Sequence, residues 1–415
     1  MNKILFHNTT KLALMMFFQY MMFAVWWVPL AAYLTNIGVE GVQKSLVLSS
    51  MAIGCMASPM IGMVADRYFD GQKVLAALNL LSSAMLLLAG FTSSPDWLFV
   101  YLLLAMLFYM PTWCLTSSIA MTHSKSEQFS RIRVFGSIGW VVSGVFSLIV
   151  VKIFNIHFDG TNIPFFFASA IGLMAVIFNL YLPSTPPTGK DKKMSVTDAL
   201  GLRTVYLMKD RNFAIFIILS FLSMIPFSMY WSYCSEFLLD RNFEYISITM
   251  NIGQLAEMLF LITVPFAIRK VGLRNTLILG LIALFFRYVA FYTGSTTDLS
   301  AFYLIGILLH GIIFGYFYLG GQIYIDQKAP AELKAQAQGF IFFVTFGLGL
   351  LVGNFISGQL IEYFSETVGT LRTYNWNSIW AVTSASALIL LLAFIILFRK
   401  ENTKNLLINN LSTHG

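Results

Sequence analysis

Charge is scarce in this sequence. Of 415 residues only 11% are Asp, Glu, Lys or Arg, where a water-soluble domain carries roughly a quarter. A surface facing water cannot be built from that supply, so a soluble enzyme or binding module is excluded. Cysteine is scarcer still. Cys55, Cys114 and Cys234 all fall in apolar stretches, an odd number without metal-like spacing. That excludes a disulfide frame and a zinc site and leaves small buried apolar groups. Metals and other cofactors are not expected. No His/Cys/Asp set with plausible spacing falls within the apolar runs, so a membrane enzyme lacks its chemistry. The loops are too short for the signalling module that a receptor needs.

Apolar residues fill the space. Hydrophobic types make up 58% of the chain, and the mean hydropathy is +0.75. Only helices and closed barrels satisfy every backbone group in lipid, and a helix needs about 20 apolar residues to cross. The runs here are long and continuous, which selects an all-α integral membrane fold. Spans are expected at about 12–33, 45–64, 74–92, 98–121, 132–154, 163–183, 213–238, 246–268, 275–294, 299–325, 335–361 and 375–398. Lys3 and Lys11 precede the first run in the manner of a signal peptide. That run continues past Trp26 and Trp27 to Tyr33 without a small-residue cleavage site, so it reads as a span.

The net charge of +7 is distributed by topology, not gathered for nucleic acid. With twelve spans both termini share one side. The segments on that side include Arg67, Lys73, Lys125, Arg131, Arg269, Lys270, Arg274, Lys328, Lys334 and Arg399. The opposite segments keep Lys44, Lys152, Arg241 and Arg372. Basic residues favour the cytoplasm, so both termini are expected there. A polar segment at 184–212, with Pro-Ser-Thr-Pro-Pro and Lys190, Lys192 and Lys193, separates 1–183 from 213–415. Each part then holds six spans, the second followed by a short tail.

A duplicated loop supports that division. Gly62-Met-Val-Ala-Asp66-Arg67 and Gly71-Gln-Lys73 follow span two, and Ile268-Arg269-Lys270-Val-Gly272-Leu-Arg274 follows span eight. Two six-span halves with this loop resemble the major facilitator superfamily, whose halves rock about a midplane site. The resemblance implies a gating role for Gly62, Asp66, Arg67 and Lys73. Gly136, Gly139 and Ser143 in span five, and Gly349, Gly353 and Ser357 in span eleven, mark close helix approach.

Ionisable groups at membrane depth are costly, and each is a candidate for function. Glu257 is the only carboxylate read as well inside a span, with Gln254 one turn earlier on the same face. His310 lies mid-span and titrates in the useful range. These two are the candidates for proton coupling, although a structural Glu and a packing His remain open readings. Arg287, beside Phe286 and Tyr288, is read as a structural anchor. Arg133, Ser137 and Trp140 share one face of span five. His310, Phe314, Tyr318 and Gln322 follow every four residues in span ten. Span one offers Gln19, Phe23 and Trp26, and span seven Ser228, Tyr230, Trp231 and Tyr233. Rings interleaved with hydroxyls, amides and charges suit a sugar joined to a planar base.

At these residues the sequence resembles the nucleoside:proton symporter family within that superfamily, and its less characterised nucleoside-transporter branch. The matching stretches include Met15-Met-Phe-Phe-Gln19, Trp27-Val-Pro-Leu30, Tyr109-Met-Pro-Thr112 and Arg131-Ile-Arg-Val-Phe-Gly-Ser-Ile-Gly-Trp140. In the second half they are Gly253-Gln-Leu-Ala-Glu257, Gly306-Ile-Leu-Leu-His-Gly311, Tyr324-Ile-Asp326 and Ala335-Gln-Ala-Gln-Gly339. The resemblance runs from about residue 10 to 400. It implies substrate or coupling roles for Arg133, Ser137, Trp140, Gln254, Glu257 and Phe314, with protons as the driving ion. It also implies a bacterial inner-membrane location and a monomer. Three positions depart from the family pattern. Gly315 stands where an Asp is usual, Ser228 and Trp231 replace Gln and Asn, and Ser117 replaces an Asn. Changed hydrogen-bonding groups change cargo preference, so a sugar, glycoside or peptidoglycan fragment is the second expectation after a nucleoside.

Overall fold

A computed structural model describes residues 2–187, 200–330, 333–368 and 371–399. Among the described residues, twelve helices are long and apolar enough to cross a membrane. Spans one to six are Asn8–Asn36, Gly41–Ile61, Gly71–Phe91, Pro95–His123, Arg131–Phe154 and Ile163–Leu180. Spans seven to twelve are Arg211–Asp240, Ile246–Val271, Leu273–Thr297, Ser300–Lys328, Gln336–Tyr363 and Trp376–Leu397. The expected spans are therefore present, displaced by a few residues at their ends. Lys190, Lys192 and Lys193 lie outside the described residues. The segment before span seven is not plain loop, because Leu202–Lys209 forms a 3₁₀ helix. A short hairpin pairs Ser365–Val368 with Leu371–Tyr374 ahead of span twelve, an element that hydropathy could not reveal.

Several spans are broken where the sequence demands it. Span one stops at Trp27 and resumes at Leu30, because Pro29 supplies no N–H for the preceding turn. In span four, Pro111 opens a second helical piece as its first residue, the position proline tolerates best. Span ten is the most irregular. Its α-helix Ser300–Leu308 gives way to His310–Ile312, then to a π-helical turn at Ile313–Leu319, before α-helix resumes at Gly320. Span eleven carries a matching π-helical turn at Phe343–Gly349. Such turns cluster at functional sites.

The contacts divide the chain into two compact units. The first holds residues 1–194 with 228–255 and 354–363. Here span one packs along spans five and six, closely enough that a Cβ on Gly139 would sit 2.1 Å from the Phe17 carbonyl oxygen. Gln19 does not look out of this unit. Its amide donates to Thr112 at 2.6 Å and to Asn79 at 3.2 Å, and Asn79 donates back at 2.8 Å.

The end of span seven, the start of span eight and the end of span eleven belong to this first unit too. Lys44 meets Glu236 at 2.7 Å. Tyr233 donates to the Asn354 carbonyl at 2.7 Å, and Asn354 to that of Leu48 at 3.0 Å. Asp159 accepts from Ser147 at 2.7 Å and from the Ser247 N–H at 3.0 Å, with the Ser247 hydroxyl as a third donor. Burial pushes the Asp159 carboxyl above the usual carboxylate range, opposed by those hydrogen bonds.

The second unit holds 195–227, 256–353 and 364–415, and span nine packs on spans ten and twelve. Arg274 ties the start of span nine to the end of span twelve through the carbonyls of Ile395 and Phe398, each at 2.7 Å. Tyr288 stacks on Trp380 with centroids 6.0 Å apart. Among connecting segments, Lys328 pairs with Asp210 at 3.1 Å. Partial burial pulls the Asp210 carboxyl up, but hydrogen bonds from the Phe213 N–H and Lys328 outweigh it and hold the group below its ordinary value.

Candidate functional site

Three ionisable side chains from spans eight, nine and ten lie in a row in the second unit. Glu257, Arg287 and His310 are all buried, at 8%, 0% and 3% exposure. His310 Nε2 lies 3.4 Å from Glu257 Oε2. Its other ring nitrogen, Nδ1, lies 3.1 Å from Arg287 Nη2. Arg287 also donates through Nε to the Gly306 carbonyl at 3.2 Å, one turn ahead of His310. A guanidinium such as that of Arg287 would cost about 2.5–3.5 kcal/mol alone at membrane depth on an insertion scale, and a paired carboxylate offsets part of that cost. His310 sits at the start of its short helical piece, directly before the π-helical turn. The reading of Arg287 as an anchor therefore needs extension: it holds the imidazole.

Aromatic groups border this row. Phe227 lies 6.4 Å from His310 and 4.9 Å edge-on from Tyr318. Phe314 lies 5.8 Å from His310 and 5.9 Å from Tyr318, so these three residues of span ten form one ladder. Tyr318 shares a hydrogen bond with Ser223 at 3.3 Å, and Tyr288 donates to the Pro226 carbonyl. Further along, Ser220, Tyr318, Gln322 and Thr345 line a cleft of about 20 Å³, enough for roughly one water and far too small for a nucleoside. Gly315 is buried against span eight, where a Cβ would meet Val264 at 3.3 Å.

The remaining candidates lie in the first unit. Arg133 is half-buried with its guanidinium 4.4 Å over the Tyr20 ring, a cation–π contact. Ser137 is half-buried one turn on. Trp140 is buried between Phe23 at 5.6 Å and Trp231 at 5.8 Å. Trp26 is buried as well, against Phe23 and Phe165. Ser228 shares a hydrogen bond with Ser357 at 2.9 Å. Gln254 is buried on the same helix as Glu257. Of the gating motif, Lys73 is exposed and pairs with Asp70 at 2.8 Å. The structure describes the backbone at Gly62, Asp66 and Arg67 but not the two charged side chains.

Some functional groups were not legible beforehand. Asn251 donates to the carbonyls of Trp140 and Val141 at 3.2 and 3.1 Å, fastening the start of span eight to span five. Its place three residues before Gln254 was the available signal. Glu257 is also not the only buried carboxylate in a span, because Glu236 sits buried in the last turns of span seven. Its partner Lys44 reads in the sequence as an ordinary flanking charge.

A twelve-helix architecture with buried ionisable groups on broken helices defines a secondary active transporter. The fold agrees: the structure superposes on the nucleoside transporter NupG with a TM-score of 0.83 at 24% identity, covering 95% of this chain and 100% of that one. This is the major facilitator fold. The family model described as nucleoside H+ symporter matches residues 6–403. YegT of Escherichia coli (strain K12) is 32% identical over 406 residues, 96% of this chain and 95% of that protein. The xanthosine permease of the same strain is 26% identical over 424 residues, 97% of this chain and 99% of that protein. The chain belongs to the nucleoside H+ symporter family.

Proposed function

We propose that the chain takes up nucleosides together with protons by alternating access, across a bacterial inner membrane with both termini cytoplasmic and a single chain as the transporting unit. The observation that carries this reading is the Glu257–His310 pair, a carboxylate and an imidazole held together out of water at 3.4 Å. A proton that arrives on that carboxylate and leaves it again switches the net charge of a row that also holds Arg287. His310 is its immediate partner. Phe314, next on the same ladder, offers a ring to the base. On the family pattern, Arg133, Ser137, Trp140 and Gln254 are the proposed substrate contacts of the first unit, offering a cation, a hydroxyl, an indole and an amide. Asp66 and Arg67, with Gly62 and Lys73, are the proposed gating elements on the family pattern. No cofactor beyond the proton gradient enters this scheme.

Glu257→Gln tests it in proteoliposomes. The variant keeps the volume and the hydrogen-bonding capacity but cannot cycle a proton. Accumulation of uridine or inosine driven by an inward proton gradient is expected to stop, while exchange of labelled for unlabelled nucleoside persists. Undiminished uphill uptake would remove Glu257 from coupling. An identical response to sugars and nucleosides would remove the cargo assignment.

A further inference from the structure

A guanidinium can only donate hydrogen bonds, and in proteins it does not deprotonate. That fixes the chemistry of its neighbour. Arg287 Nη2 lies 3.1 Å from His310 Nδ1, so Nδ1 must present its lone pair. The single ring proton then sits on Nε2, the nitrogen 3.4 Å from Glu257 Oε2. The second Arg287 bond, to the Gly306 carbonyl, holds the guanidinium against span ten and limits its retreat. A second proton on His310 has one vacant position, Nδ1, and that position faces a permanent cation. The imidazole is thereby kept neutral, and an arriving proton has only the carboxylate to occupy.

We propose that Arg287 is a positioning residue for proton coupling, which locks His310 as the neutral Nε2–H tautomer and so places the coupled proton on Glu257. The inference rests on the functional reading above and assigns unequal roles within it: Glu257 carries the proton, His310 orients the carboxylate, and Arg287 orients His310. Without the proton, Arg287 and Glu257 balance in charge across a neutral ring. With it, the row carries one net positive charge, a difference between loaded and empty states confined to spans eight, nine and ten. Among the described residues, two phenols also border the row. Tyr288, beside Arg287 in span nine, donates to the Pro226 carbonyl. Tyr318, two turns beyond His310, is bonded to Ser223 of span seven. Neither competes for a proton near neutral pH.

The tautomer is read directly by solid-state ¹⁵N NMR of histidine-labelled protein in liposomes, with the His310 signals identified by their loss in His310→Gln. The expected result is protonated Nε2 and unprotonated Nδ1 from about pH 5 to 8, with no imidazolium. A wild-type His310 that is protonated on Nδ1, or doubly protonated in that range, overturns the proposal. This reading needs no transport, so it stands apart from any failure of nucleoside uptake, which would instead sink the function proposed above.

A second arm uses transport. In Arg287→Gln the ring is released to accept a second proton, so the pH profile of uphill uptake should acquire a step in the ordinary imidazole range near about 6.5. Adding His310→Gln in that background should abolish the step. Arg287→Lys, which keeps the charge and loses the fork, is expected to fall between, and nucleoside exchange in each variant reports whether the protein has folded. An Arg287→Gln profile that exchanges normally and matches the wild type at every pH would reduce Arg287 to packing.

Discussion

Lys44 and Glu236 stand 192 residues apart in the chain and meet with side chains only 4% and 0% exposed. A second hydrogen from the ammonium goes to the Thr35 hydroxyl at 2.9 Å. Removing one member of a buried pair strands the other, at a typical cost of about 3–5 kcal/mol, whereas replacing both with apolar groups of similar size is often close to neutral. Glu236→Leu and Lys44→Met should therefore each destabilise the detergent-solubilised protein by about that amount, and the two combined should recover most of the loss. Chemical unfolding of the two singles and the double gives the comparison. A strictly additive double would mean that the ion pair has no energetic existence. Lys73–Asp70 offers the contrast: its lysine side chain is 73% exposed, and a pair of that kind contributes about 0–1 kcal/mol.

Span eight shows how an element can be fixed by a residue outside it. Its first turn leaves backbone N–H groups without helical partners, and Asp159, from the segment between spans five and six, accepts from the Ser247 N–H and hydroxyl while also holding Ser147. Burial raises the proton affinity of that carboxyl in the folded protein. A raised group contributes stability that is complete below the unfolded carboxylate value of about 3.9 and is lost as pH climbs through the folded value. Asp159→Asn keeps an acceptor for the Ser247 N–H but does not titrate. The wild type should thus show a fall in melting temperature with rising pH in the acid range that the variant lacks. At neutral pH the variant should melt no lower than the wild type. Parallel melting curves across that range would show that Asp159 carries no linked proton. Gly139 illustrates the complementary constraint, a residue chosen for what it omits, since the Phe17 backbone occupies the space of its absent Cβ.

At the scale of the molecule, the twelve spans were legible because lipid leaves so few solutions for a backbone. Glu257 and His310 were legible as candidates because ionisable residues in apolar runs are rare. What joins them was not legible. Hydropathy says nothing about which faces of spans eight, nine and ten meet, and so it could not separate Arg287 as anchor from Arg287 as the group that sets a tautomer. It also treats Lys44 as a flanking charge, because burial of that ammonium depends on a carboxylate half the chain away. The same blindness covers the ends of spans seven, eight and eleven, which pack with the first-half spans in one unit. Alternating access requires some of those contacts to open in each cycle. The Ala32 N–H donates to Ser235 at 3.3 Å, which puts these positions of spans one and seven in direct contact. With Cys234→Ala as background, Ala32→Cys combined with Ser235→Cys should lose both uphill uptake and exchange on oxidation and regain both on reduction. Full exchange in the oxidised protein would mean that spans one and seven stay joined throughout transport, and that the opening step must be sought at the Asp159 and Asn251 contacts of span eight instead.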